Sequence, residues 1–197
     1  MLFNKCVLSL LDNQSITSTM SKRDDFIWRA IQVVCWFIFA GLCVQTGALL
    51  FNYLYSLFRP VATHNLHLGL DLSGVYEQSK TIYSALFSFL LAISVLKALV
   101  FYYVLRLFKN IELSKPFSET VSGLIAQISY FAFSVGLVSH LAHRFVKSLI
   151  QRGYDVDLII RYLYDSCAYL MMSAILFVIA LIFKRGIELQ NENELTV

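Results

Sequence analysis

Charged residues are scarce in this chain of 197 residues: only 15% are Asp, Glu, Lys or Arg, whereas 58% are hydrophobic. About a quarter of the residues of a soluble globular protein are charged. A soluble core of this size could not bury so much apolar surface, but lipid could cover it. The formal net charge of +3 is also too small and scattered for a basic face, so direct nucleic-acid binding is not expected. The composition therefore favours an integral membrane protein.

Motifs for catalysis and for metal binding are lacking as well. The four cysteines form no CxxC pair, which argues against a zinc site or a disulfide framework. The sequence contains no GxSxG, no HExxH and no glycine-rich phosphate loop. We therefore expect no enzymatic activity, no catalytic residue, no metal site and no cofactor.

Long stretches without charge predict four transmembrane helices. Residues 30–58 and 120–142 contain no Asp, Glu, Lys or Arg, and residues 81–105 contain only Lys97. A shorter uncharged stretch covers residues 166–183. About 20 apolar residues cross the hydrocarbon core, and a spanning segment must satisfy its own backbone hydrogen bonds. The prediction is an all-α, integral membrane, four-helix up-down bundle with helices at about 28–58, 81–108, 119–143 and 162–184.

The segments outside these helices are short. Residues 1–25 are predicted to be a cytoplasmic N-terminal segment, and residues 26–197 a transmembrane domain with a short C-terminal tail. Met20 precedes a polar, charged stretch and resembles a natural start, so translation from Met1 and from Met20 both stay open. With the N-terminus inside, nine Lys and Arg residues flank the helices on the cytoplasmic side and six on the outer side, which favours cytoplasmic termini.

Small and polar residues recur on one face of the first and third predicted helices. Residues three or four positions apart share a helix face, and small or polar residues there let a neighbouring membrane helix approach and hydrogen-bond. We interpret these faces as packing seams; the alternative is a polar groove for a small ligand. The two sets are Gly41, Gln45, Ala48, Asn52 and Ser56, and Ser129, Ala132, Gly136, His140 and His143.

Lys97 is the one basic residue well inside a predicted span. An ammonium at the centre of a membrane helix costs about 3 kcal/mol on insertion scales, and no acidic residue is expected at matching depth. One interpretation is that the long side chain extends toward the membrane interface. The other is a functional charge that lines a cavity. The polar intramembrane candidates for such a cavity are Lys97, Gln45, Asn52 and His140.

The four histidines all lie on the predicted outer side of the membrane, near several carboxylates. They could bind a divalent metal or respond to acidification. Neither pair forms a diagnostic motif, so we interpret them as solvated loop and interface residues. The pairs are His64 with His67 and His140 with His143.

Two segments on the predicted cytoplasmic side carry a resemblance to a known family. Lys115-Pro116-Phe117-Ser118 precedes the third helix, and the chain ends in Arg185-Gly186-Ile187-Glu188-Leu189 and the later Glu194-Leu195-Thr196-Val197. They resemble a bacterial membrane family filed as domain of unknown function 2975, over roughly residues 25–197. The resemblance implies a four-helix protein of the bacterial cytoplasmic membrane. It also implies a link to small helix-turn-helix regulators, beside which similar proteins are often encoded.

The function that this resemblance implies is a non-enzymatic regulatory or interaction protein, with a cytoplasmic partner of the helix-turn-helix type. The rival prediction is a small transporter or a peptide-immunity protein that uses Lys97 and the polar helix faces. The lipid bilayer is a partner in either case, and a homo-oligomer is left open. The candidate partner-binding residues are Lys115, Pro116, Phe117, Glu188, Leu189, Glu192 and Leu195.

Overall fold

The computed structural model describes residues 22–58, 72–111, 117–156, 159–160, 163 and 166–194. The chain divides after Phe37 into two units. Residues 22–37 are one helical segment, and residues 38–197 contain the helix bundle described below. The helices are α1 (Lys22–Phe58), α2 (Ser73–Gln78), α3 (Lys80–Asn110), α4 (Glu119–Gln151) and α5 (Ser166–Glu194).

The predicted all-α, four-helix architecture is confirmed. Four of the described helices, α1, α3, α4 and α5, are long and apolar enough to cross a membrane. Each of them contains one of the four stretches of low charge identified in the sequence. Helix α2 is a short addition that was not predicted, and its Val75 and the preceding Leu72 are buried against the start of α3.

The helix ends differ from the prediction mainly in α4 and α5. Helix α4 continues to Gln151, past the predicted end at 143, and α5 continues to Glu194, past the predicted end at 184. The additional turns contain lysine, arginine, glutamine and glutamate, which are good helix formers. Hydropathy marks where the apolar sequence stops, whereas a helix can continue into water. Most of the predicted C-terminal tail is therefore the last part of α5.

Helix α4 lies between α3 and α5 and packs against both. Its contact with α3 is made by large side chains. The Phe89 and Phe145 rings lie 5.7 Å apart, and the Tyr103 ring is stacked on Phe131 at 5.1 Å. Aromatic pairs at this separation add stability beyond the area that they bury.

The contact of α4 with α5 is made instead by small residues at intervals of seven. Ser122 Oγ donates a hydrogen bond to the Ala180 carbonyl at 3.2 Å, and Ser129 Oγ donates one to the Ser173 carbonyl at 2.9 Å. One further interval along α4, Gly136 lies against Leu170, whose Cγ would be only 2.7 Å from a Cβ at that position. The residue numbers rise along α4 (122, 129, 136) while those of the partners on α5 fall (180, 173, 170), so the two helices are antiparallel. Seven-residue spacing keeps one seam facing a partner helix.

Residues 38–58 of α1 pack on α3 mainly near the end of α1. Tyr83 is fully buried there, and its hydroxyl donates to Ser56 Oγ at 2.9 Å. The Tyr53 ring is stacked on Phe87 at 5.1 Å, while its hydroxyl donates to Ser84 Oγ at 3.2 Å. Ser56 of the predicted α1 seam is thus a packing residue. At Gly41, the other end of that seam, a Cβ would meet nothing within 4 Å.

Candidate partner-binding end of the bundle

The two segments that carry the family resemblance contact one another in the structure. The Phe117 ring lies 5.2 Å from the Phe183 ring, and a Cβ on Gly186 would lie 2.8 Å from Phe117 Cδ1. Glycine at 186 therefore leaves the space that the Phe117 ring occupies. We call the surface formed by residues 117–123 of the α4 start and 180–194 of α5 the Phe117 end.

Local capping positions Phe117. Ser118 is the N-cap of α4, and its hydroxyl accepts a hydrogen bond from the Val121 N–H at 3.3 Å. Serine at this position satisfies one of the donors left unpaired at a helix start. Beneath it, Val121 is fully buried and packs in one cluster with Ala180 and Phe183. The start of α4 is thus held on α5, and Phe117, which precedes the cap, is 42% exposed.

A groove of about 340 Å³ lies beside this contact, between the first turns of α4 and the last turns of α5. It contains carboxylate, ammonium, hydroxyl and amide groups, so it can accept and donate hydrogen bonds to a polar partner. Its residues include no cysteine or histidine. The groove is lined by Glu119, Ser122, Gly123, Lys184, Ile187, Glu188 and Asn191.

The last turns of α5 combine an exposed leucine with charge. Leu189 is 61% exposed. Next to it, Arg185 Nη1 and Glu188 Oε2 form an ion pair of 2.8 Å on the surface. Such exposed pairs contribute little to stability. Glu192, one turn beyond Glu188, is also exposed.

The structure therefore brings together Phe117 and the helix that carries Glu188, Leu189 and Glu192. Among these, Glu188 lines the groove. The other predicted partner-binding residues lie outside the described residues: Lys115, Pro116 and Leu195.

The polar intramembrane candidates are not gathered in one place. Lys97 is half-buried, and its ammonium lies 5.3 Å above the centre of the Tyr169 ring of α5. Gln45 and Asn52 are half-buried on α1, whereas His140 is exposed on α4. Within the described part of the chain, no hydrogen bond or ion pair joins Lys97 to any of these three. Sequence reasoning missed Tyr169, although an aromatic ring is a common partner for a cation.

The histidines are only partly covered by the structure. His143 is half-buried on α4 one turn beyond His140, and the residues from 59 to 71, which include His64 and His67, lie outside the described ranges. Over the residues that can be described, no group of three His, Cys, Asp or Glu side chains is placed to hold a metal ion.

Comparison with known proteins gives a family and no activity. A family model described as "Protein of unknown function (DUF2975)" matches residues 68–197. The matched region contains α2 to α5 and both segments of the Phe117 end. No curated protein and no solved structure matches the chain.

Proposed function

Since this chain belongs to the family of proteins of unknown function DUF2975, we propose that it is a non-enzymatic membrane protein that binds a cytoplasmic regulatory protein through the Phe117 end. In this proposal four helices cross the bacterial cytoplasmic membrane, and both termini lie in the cytoplasm. The partner is a small helix-turn-helix regulator, the type that the resemblance implies. The excess of Lys and Arg on that side of the helices supports this orientation.

The observation that carries the proposal is the contact of Phe117 with Gly186 and Phe183. Residues from two segments about 70 positions apart form one surface through it, and that surface continues into the polar groove. Lys184 and Arg185 follow the apolar part of α5 directly, as expected for residues at a membrane interface. The groove and the last turns of α5 would then face water, where a soluble partner can reach them.

The side chains of α5 indicate the chemistry of the partner. Leu189 is exposed, and Glu188 and Glu192 flank it. A helix that offers one apolar anchor between acidic groups suits an apolar pocket with a basic rim. DNA-binding regulators carry a basic surface, which makes them compatible with such a helix.

Co-purification of the tagged full-length chain in mild detergent tests this proposal. We expect a small DNA-binding protein to be captured and identified by mass spectrometry. Leu189→Asp should weaken its binding about 30-fold, which is the loss expected for a binding hot spot worth about 2 kcal/mol. Deletion of residues 188–197 should remove binding altogether.

Lys97→Leu is the matched control, because Lys97 is remote from the Phe117 end along α3 and contacts Tyr169 instead. This variant should capture the partner as the wild type does. If deletion of residues 188–197 leaves capture unchanged, the proposed binding surface is wrong. Loss of function in Lys97→Leu, with the deletion tolerated, would favour the transporter or peptide-immunity prediction.

A further inference from the structure

An apolar cleft of about 430 Å³ lies between α3 and α5, and Ile128 of α4 also lines it. Its walls are side chains of three different helices, and it is open along one side. A concave apolar site with few polar groups is the usual form of a small-molecule pocket. The cleft is lined by Val100, Phe101, Val104, Leu107, Ile128, Ala168, Tyr169, Met172 and Leu176.

The length of this cleft is comparable with, though shorter than, the depth of one leaflet. The lining residues extend from Val100 to Leu107 on α3 and from Ala168 to Leu176 on α5. Seven to eight residues of helix rise by about 10 to 12 Å. One leaflet of the hydrocarbon core is about 15 Å thick. The cleft therefore covers much of the depth of a single leaflet.

A cation stands at one end of the cleft. Lys97 lies one helical turn before Val100 and Phe101, and its ammonium is 5.3 Å from the centre of the Tyr169 ring. Throughout the described ranges, Lys97 takes part in no ion pair. The ring lies on one side of the ammonium, and Lys97 is only half-buried, so part of its side chain stays accessible to an anion.

The position of Lys97 also suits a lipid headgroup. Tyr169 lies in the first turn of α5, which begins at Ser166, where the apolar stretch of α5 also begins. Along α5, Lys97 is therefore level with the start of the apolar stretch, although on α3 itself uncharged residues precede and follow it. The cleft extends from there into the bundle. A lipid with its charged group at Lys97 would place its chain along the cleft.

We propose that this cleft binds one acyl chain of an anionic phospholipid, whose phosphate pairs with Lys97. The open side of the cleft lets the glycerol and the second chain stay in the bilayer, which favours a phospholipid over a free fatty acid. A zwitterionic phospholipid carries a compensating cation in its headgroup and gains less from Lys97. The site therefore selects for net negative charge. This assignment does not depend on a partner at the Phe117 end.

Native mass spectrometry of the delipidated full-length protein tests the assignment. The protein is incubated with phosphatidylglycerol or phosphatidylcholine of the same chain length. We expect the wild type to retain phosphatidylglycerol about fivefold better, the preference that one basic residue gives near a membrane surface. Lys97→Gln should abolish this preference, and Lys97→Arg should restore it. Equal retention of the two lipids by the wild type, or an unchanged preference in Lys97→Gln, would overturn the proposal.

A second variant tests the cleft separately from the charge. Val104→Trp places a large ring in the cleft and should reduce the retention of phosphatidylglycerol about fourfold for each methylene of the acyl chain that loses its burial. Val95→Trp is its matched control, because Val95 is on the same helix, is 40% exposed and does not line the cleft. If both variants lose the same amount of phosphatidylglycerol retention, the cleft is not the binding site. If added oleate displaces the retained lipid and added phosphatidylglycerol does not, the phospholipid assignment is wrong and a free fatty acid is favoured.

Discussion

The two sides of α4 pack by opposite means. Toward α3, aromatic rings fill the space between the helices, as in the stacked pair of Tyr103 and Phe131. Toward α5, serine and glycine bring the two backbones close, and serine hydroxyls donate to carbonyls of the opposite helix. Lipid tails are as apolar as leucine, so helices in a membrane associate through close packing and hydrogen bonds rather than through the hydrophobic effect. Helix α4 thus packs on α3 through large rings and on α5 through small residues and hydrogen bonds.

The difference predicts opposite sensitivities. An interface made of small residues has no room for added atoms, whereas an interface made of rings loses contacts when a ring is removed. The seam with α5 should therefore be sensitive to enlargement of its residues, and the contact with α3 should be sensitive to their truncation.

The largest effect is expected at Gly136. A Cβ there would lie 2.7 Å from Leu170 Cγ and 3.1 Å from the Leu170 backbone nitrogen. Because that nitrogen belongs to the backbone of α5, Gly136→Leu can be accommodated only if the helices separate. We expect a loss of about 3 kcal/mol in the free energy of unfolding. Titration with a denaturing detergent, followed by circular dichroism, measures it.

Gly123 on the same helix provides the control. A Cβ at this position would meet nothing within 4 Å, because Gly123 borders the polar groove. Gly123→Leu should therefore cause no loss, and it should raise the free energy of unfolding by up to about 0.8 kcal/mol because leucine is the better helix former. Equal losses in both variants would show that α4 and α5 are not packed as closely at Gly136 as the structure indicates.

An intermediate effect is expected on the side of α3. Phe131→Ala removes the ring that is stacked on Tyr103 at 5.1 Å. Phe131 is only half-buried, so the loss should be about 2 kcal/mol, below the range for a fully buried phenylalanine. Phe133→Ala removes an identical ring that is 49% exposed and should change stability by less than about 0.5 kcal/mol. Thermal unfolding in detergent distinguishes them, and the comparison fails if the Phe133 variant is the less stable one.

Much of this architecture could be predicted from the sequence, because the membrane imposes a local requirement. Uncharged stretches of about 20 residues identify the four spans, whatever those spans contact. The small residues at 129, 132 and 136 likewise indicated a packing face, and all three are buried. The partners of that face were not predicted, although Ser173 and Ala180 repeat the seven-residue interval of Ser122 and Ser129. Pairing between helices depends on residues far apart in the chain, which local hydropathy does not report.

The candidate site shows the same limit. Phe117 and the α5 residues from Glu188 to Glu192 were selected through the family resemblance, one segment at a time. Their proximity depends on the tight fit of Phe117 on Gly186, which only the packed helices reveal. Lys97 was identified because a charge is rare inside a span. Its contact with Tyr169 could not be predicted, since the sequence does not fix which ring of another helix lies at the same depth.

The smallest effect is expected from the serine hydroxyls, and it separates hydrogen bonding from close packing on the α5 side. Ser129→Ala removes the hydrogen bond to the Ser173 carbonyl but adds no volume. Bonds of this kind between membrane helices contribute about 0.6 kcal/mol on average. Ser134→Ala removes a hydroxyl that donates within α4, to the Tyr130 carbonyl at 2.9 Å, and so leaves the seam intact. Stability measured in the same detergent titration should fall by about 0.6 kcal/mol more in the Ser129 variant than in the Ser134 variant. A difference near zero would mean that the small size of these residues, and not their hydroxyl groups, holds α5 on α4.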